Sequence, residues 1–104
     1  MTGSQPRSSV SILITVDISA GLEQVERAEA DNPDVMAEIR THARRYMTSH
    51  RRTHRDGHVM DIDEFATLAD YHAFKAAARD AIARYGELVG GLPVDTIYET
   101  APAG

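Results

Sequence analysis

Alternation and helical spacing divide the chain into a short series of elements. Val10 to Ile18, VSILITVDI, places Ile12, Ile14, Val16 and Ile18 on one face and Ser11, Leu13, Thr15 and Asp17 on the other. β-branched residues dominate it, so a strand with one buried and one mixed face is expected. Leu22, Val25 and Ala28 then recur at helical spacing, with Ser19 as a plausible cap. Pro33 lacks an amide hydrogen and suits a first helical turn, so Asn32 caps a second segment whose stripe is Val35, Met36, Ile39 and Ala43. A broken helix or two short helices are expected from about residue 21 to 44. Arg45 to Arg55 can continue the helix, but Tyr46, Thr48 and Thr53 upstream of a turn favour a strand.

Arg55-Asp56-Gly57-His58 is that turn, an Asp-Gly pair between two alternating runs. With Asp56 and Gly57 as loop residues, Arg55 faces His58, His54 faces Val59, Arg52 faces Asp61, His50 faces Asp63 and Thr48 faces Phe65. Period-two alternation puts the last four pairs on one face and Met60 and Ile62 on the other. Opposed unlike charges favour this register by roughly 0.2 to 1 kcal/mol per pair.

Thr67-Leu68-Ala69-Asp70 matches a capping box with an acid in place of glutamate, and one long helix is expected to follow. Leu68, Tyr71, Phe74, Ala78, Ile82 and Tyr85 line one side, Lys75, Arg79 and Asp80 face away or to its edges, and Gly86 or Gly90-Gly91 ends it. Val94 to Thr100 is a last strand. Residues 1–9 form a polar, Gly- and Pro-containing segment expected to be disordered, 10–100 a single domain, and 101–104 a tail. Strand, helix, strand, strand, helix, strand is the order of an α+β, ferredoxin-like β-α-β-β-α-β fold with a four-stranded antiparallel sheet. Its helices can cover one side of the sheet, so a second subunit is expected on the other, giving a homodimer.

Composition narrows this. The 104 residues include no cysteine, which removes disulfides and thiolate metal sites. No apolar run approaches the roughly 20 residues that cross a bilayer, and MTGSQPRSS has no apolar signal core. A soluble cytoplasmic protein with no membrane partner is expected. The net charge of −5 argues against a nucleic-acid partner, although six of the eleven basic residues (Arg40, Arg44, Arg45, Arg51, Arg52, Arg55) fall in sixteen positions without an acid. Pairing of this run with the acids of the next strand is the plainer reading; phosphate binding is the other. His50, His54 and His58 recur every four residues, but on a strand that spacing spans about 13 Å, too far for one ion, so no metal is expected.

The element order, the Arg-Asp-Gly-His turn, Asp63-Glu64-Phe65 before a capped helix with an early aromatic (Tyr71), and the closing Ile97-Tyr98-Glu99 together resemble the antibiotic biosynthesis monooxygenase family of dimeric α+β barrels. The resemblance covers about residues 10 to 100. It implies a pocket between sheet and helices and a cofactor-independent oxygenase, with dioxygen as co-substrate, that converts an anthrone or hydroquinone to a quinone. Haem degradation and polyketide cyclisation also occur on this fold. Many relatives have tryptophan where this chain has Phe65, and the haem-degrading branch has an asparagine in the first strand that is absent here, which favours quinone formation.

Such chemistry needs a base, a group that holds the substrate anion, and a dry pocket. His50 and His54 are candidate bases because imidazole titrates near neutrality. Arg52 is a candidate for stabilising the anion, Asp61 and Asp63 for orienting the histidines or Arg52, and Phe65, Tyr71 and Phe74 for packing against flat rings. The same cross-strand pairs also occur on solvated sheets, and Tyr71 and Phe74 also suit an ordinary core. His72 reads as surface. A polyketide cyclase and a non-catalytic dimeric accessory or binding protein are the rival functions.

Overall fold

The computed structural model describes residues 10–101; the expected N-terminal segment and most of the tail lie outside them. The chain runs β1 (Ile12–Ile18), α1 (Leu22–Ala30), α2 (Pro33–Tyr46), β2 (Met47–Arg55), β3 (His58–Phe65), α3 (Leu68–Ala77), α4 (Arg79–Leu88) and β4 (Val94–Glu99). All strand pairs are antiparallel and the sheet order is β2-β3-β1-β4, with β1 and β3 in the middle. This is the ferredoxin-like α+β arrangement. No helix among the described residues is long and apolar enough to cross a membrane.

The inner face of the sheet carries Ile12, Ile14, Val16 and Ile18 from β1, directly beside Phe65, Asp63, Asp61 and Val59 of β3. The helices cover this face in two separate apolar clusters. One joins Ile18 and Val59 to Val25, Val35, Tyr85 and Val89. The other joins Ile12, Ile14 and Phe65 to Tyr71, Phe74 and Ala78. Burying each large side chain contributes roughly 1.5–3 kcal/mol. Ile39 of α2 touches both clusters, and Asp61 and Asp63 stand on the strand between them.

Local differences from the expected elements have identifiable causes. Gly21, not Ser19, precedes α1, and Asn32 sits at the start of α2 without capping it; its Nδ2 instead donates to Ala28 O at 2.8 Å, closing the end of α1. The helix α2 reaches Tyr46, so β2 begins at Met47. There the register jumps from Met47↔Phe65 to Ser49↔Glu64. Thr48, expected opposite Phe65, is the extra residue of a bulge, and its hydroxyl donates to Glu64 O at 3.2 Å. Strict alternation from His50 would point Thr48 inward and Met47 out; the bulge delivers Met47 to the aromatic cluster instead. Thr67 caps the next helix, accepting from Asp70 N at 3.1 Å. What reads in sequence as one helix is two, broken at the buried Ala78, and Leu68 is left 43% exposed. The second ends where Gly91 N donates to Gly86 O at 2.8 Å, with Gly90 at φ 91°.

Among the described residues, no helix covers the outer face. Leu13, Met60 and Ile62 are half-buried there, and Tyr98 (53%) and Val94 (63%) are exposed. Polar pairs frame them: His58 Nε2 with Asp17 Oδ1 at 2.9 Å, and Ser11 and Ser49 both donating to Glu64.

The hairpin turn holds Gly57 at φ 71°, with nothing near the place a Cβ would occupy. Gly57→Ala therefore carries only the backbone penalty, and urea unfolding is expected to show a loss of about 1–2 kcal/mol. Gly91→Ala, in equally open space but without a positive φ, is expected to change stability by less than about 0.5 kcal/mol.

Candidate functional site

The hairpin register places two cross-strand pairs on the inner face, His50 opposite Asp63 and Arg52 opposite Asp61. Arg52 lies over Asp61 in a fork, with Nε to Oδ1 at 2.8 Å and Nη2 to Oδ2 at 3.0 Å. Its far side meets a second carboxylate from α1: Nη1 donates to Glu29 Oε1 at 3.0 Å and Nη2 to Oε2 at 2.8 Å. Glu29 lies one turn beyond the buried Val25, on the same face of its helix. Tyr85 of α4 donates to Glu29 Oε2 at 2.6 Å. Four of the roughly five N–H groups a guanidinium offers are thus engaged.

These contacts set the charge states. The bonds to Asp61 and Glu29 hold Arg52 far above its already high value, so it is always a cation. Burial pushes the Glu29 carboxyl up, but the Arg52 and Tyr85 hydrogen bonds outweigh it and the net direction is down. Burial pushes the Tyr85 hydroxyl up, and the bond to Glu29 adds to this, so it stays a neutral donor.

A second group sits nearby. His50 Nδ1 is 2.5 Å from Asp63 Oδ1. A carboxylate at that distance calls for a proton on Nδ1, which leaves Nε2 to accept or release one. The hydrogen bond to Asp63 raises the His50 pKa above its usual 6.5, against the opposing effect of burial. A third group comes from the helices and β4: the Tyr71 hydroxyl (2.7 Å) and Lys75 Nζ (2.9 Å) both donate to Asp95 Oδ2. Burial, then the Asp95 bond, drives Tyr71 well above the usual phenol range.

The three groups line one cavity of about 430 Å³ between sheet and helices, within the ~300–1,000 Å³ typical of small-molecule sites. Its apolar wall is Ile14, Val16, Met36, Ile39, Phe65, Phe74 and Ile82. Phe65 meets Tyr71 edge-on at 5.4 Å and Phe74 at 5.7 Å between ring centroids, so these aromatics are core and cavity wall at once. Arg40 and Arg44 of α2 also border the cavity and are exposed, as is most of His50, so it opens to solvent on that side.

Of the residues singled out from sequence, His50, Arg52, Asp61, Asp63, Phe65, Tyr71 and Phe74 all line this cavity. His54, considered with His50 as a base, is exposed and does not line it, because it projects opposite Val59 where the first apolar cluster closes the space. Glu29, Lys75 and Asp95 were not anticipated as site residues, and Tyr85 only as core. Glu29 was legible as an acid on the Leu22–Val25 face. Lys75, expected to face away or to the edge of the apolar side, lies at that edge and donates to Asp95.

Removing one member of a buried ion cluster strands the others. Arg52, with a side chain 22% exposed between two carboxylates, is therefore expected to lose about 3 kcal/mol or more on Arg52→Ala, read by urea unfolding. Arg27→Ala, breaking an exposed pair with Glu23, is expected to change stability by less than about 1 kcal/mol.

No family model matches this chain, and no curated protein matches its sequence. Solved structures do. A monooxygenase from the gene ActVA-Orf6 of Streptomyces coelicolor, in complex with the ligand nanaomycin D, superposes with a TM-score of 0.67 at 14% identity, over 91% of each chain. A Caulobacter crescentus protein provisionally named an antibiotic biosynthesis monooxygenase gives 0.64 at 13% identity, covering 89% of this chain and 92% of that one. A conserved protein from Methanosarcina mazei gives 0.64 at 9% identity, covering 88% and 93%. The fold of this chain is the ferredoxin-like α+β fold of proteins named antibiotic biosynthesis monooxygenases.

Proposed function

We propose that this protein is a cofactor-independent monooxygenase that oxidises a flat aromatic, an anthrone or hydroquinone of polyketide type, to a quinone, with dioxygen as co-substrate. The observation that carries the reading is His50, among the described residues the one histidine in the wall of an aromatic-lined cavity, held by Asp63 through Nδ1 and with no partner among them on its other ring nitrogen. The complex of a monooxygenase of this fold with the ligand nanaomycin D supports a small-molecule ligand for this chain.

The roles follow from the geometry. His50 Nε2 takes the acidic C–H proton of an anthrone, and Asp63 stabilises the resulting imidazolium. The substrate carbanion stays beside that cation in a space walled by Phe65, Phe74 and Ile14. One electron passes to dioxygen, and radical recombination makes a carbon–oxygen bond and a peroxide. The peroxide O–O bond then breaks, giving a carbonyl and one water: the CH₂ carbon is oxidised by four electrons and one dioxygen is fully reduced. Tyr71 and Tyr85 remain protonated and cannot compete as bases. Arg52 and Asp61 serve as a fixed wall, with one guanidinium N–H left over for the substrate oxygen. A homodimer is part of this reading, since a second copy laid on Leu13, Met60, Ile62 and Tyr98 would cover the bare sheet face.

Protein treated with chelator and freed of flavin is expected to consume one dioxygen per anthrone, measured at an oxygen electrode, and His50→Ala to lower the rate about 10²–10⁴-fold. Absence of uptake across a panel of anthrones and dihydroquinones would overturn the reading, and anaerobic turnover of a linear polyketone would transfer it to a cyclase.

The base must be neutral to act, so the rate should rise with pH through the His50 pKa, which lies above 6.5. Asp63→Asn removes its largest upward influence, so the acidic limb of the kcat/KM profile, which reports the free enzyme, is expected to move to lower pH. An unmoved limb would exclude His50 as the base. The same pairing stabilises the fold below about pH 6.5, where imidazolium forms in both states, and is lost as pH rises through the raised folded value.

A further inference from the structure

The basic run of residues 40–55 is only partly absorbed by the site described above. Arg52 is committed to two carboxylates. Arg45 stacks on the Tyr46 ring at 5.3 Å, and Arg51 and Arg55 alternate onto the outer face of the edge strand β2. Arg40 and Arg44 remain. Both border the cavity, both are exposed, and neither takes part in any ion pair among the described residues.

Their placement is unfavourable for the helix by itself. They stand at i and i+4, where like charges repel, and no acid lies three or four residues from either. The negative end of the α2 dipole accommodates Arg44 in the last turn, but Arg40 lies outside that turn. Inside the cavity each carboxylate already has a hydrogen-bonded partner: Asp61 and Glu29 share the single charge of Arg52, Asp63 faces His50 and Asp95 faces Lys75. Of the cationic groups lining this space among the described residues, these two guanidiniums are the ones not already paired with a carboxylate, one helical turn apart beside Met36, Ile39 and Ala43.

We propose that Arg40 and Arg44 form an oxyanion-recognition site at the cavity mouth, so that the ligand is a flat aromatic carrying an acidic side arm, a carboxylate or a phosphate ester. The ring packs against Phe65 and Phe74, and the arm lies across α2, where two guanidiniums can each offer paired N–H donors. The proposal rests on the aromatic cavity of the preceding reading and adds the charge of its occupant.

Binding, not turnover, tests it. Titration of the full chain with 2-naphthoate, 2-naphthamide and 2-naphthyl phosphate, followed by ligand fluorescence, compares one ring with and without a charge. An anionic naphthalene is expected to bind at least about tenfold more tightly than the amide at low salt, with the advantage shrinking as ionic strength rises. In the double variant Arg40→Gln/Arg44→Gln that advantage should vanish while amide binding persists; Arg51→Gln should leave it intact. Whichever of the two anions binds better names the source of the arm. Amide and anions binding equally, or an anion preference that survives in Arg40→Gln/Arg44→Gln, would overturn this proposal while leaving the aromatic cavity standing. Failure of all three compounds to bind would overturn both.

Discussion

A guanidinium caught between two carboxylates is the constraint around which this small protein is arranged. Taking charges out of water is expensive unless nearly every donor and acceptor is met, and here Arg52 meets Asp61 and Glu29 while Tyr85 completes Glu29. Those four side chains come from β2, β3, α1 and α4. Each element is thus tied to a polar point that cannot be filled with hydrocarbon. The buried residues of the two apolar clusters lie on either side of it, bridged at the half-buried Ile39.

The cavity follows from that separation. An empty apolar void of about 430 Å³ would cost on the order of 10 kcal/mol at roughly 24 cal/mol per Å³, as much as the whole stability of a domain this size. The space is tolerable because it is lined by charged and hydroxyl groups and opens past His50, Arg40 and Arg44. The features that make it affordable as structure also give it the polarity contrast of a ligand site, with aromatic rings on one wall and fixed donors on another.

Within that space the polar groups divide by how completely they are satisfied. The Arg52–Asp61–Glu29–Tyr85 group is closed but for one guanidinium N–H, and the Tyr71–Lys75–Asp95 group is largely closed. His50 is half open, with one nitrogen spoken for and a pKa moved upward by its partner. Structures at 9–17% identity share this backbone, and a fold hosts many chemistries; what is particular to this cavity is that unfinished hydrogen bond and the rings beside it.

The sequence alone determined the hairpin and its register from Asp56-Gly57 outward, because an Asp-Gly turn and period-two alternation are local. It also determined strand β1, the Thr67 cap and the order of elements that gives the ferredoxin-like sheet. Those rules likewise placed His50 beside Asp63 and Arg52 beside Asp61. They did not reach Thr48, where the need to bury Met47 against Phe65 overrode alternation, or Ala78, where one expected helix became two. Glu29, Asp95 and Lys75 joined the site only through contacts between elements far apart in the chain, 23 residues from Glu29 to Arg52 and 20 from Lys75 to Asp95. Whether His50 or His54 faces the cavity was likewise a tertiary matter: both point to the same side of β2, and only the packing of helices over Val59 and not over Asp63 decides which one has a space in front of it.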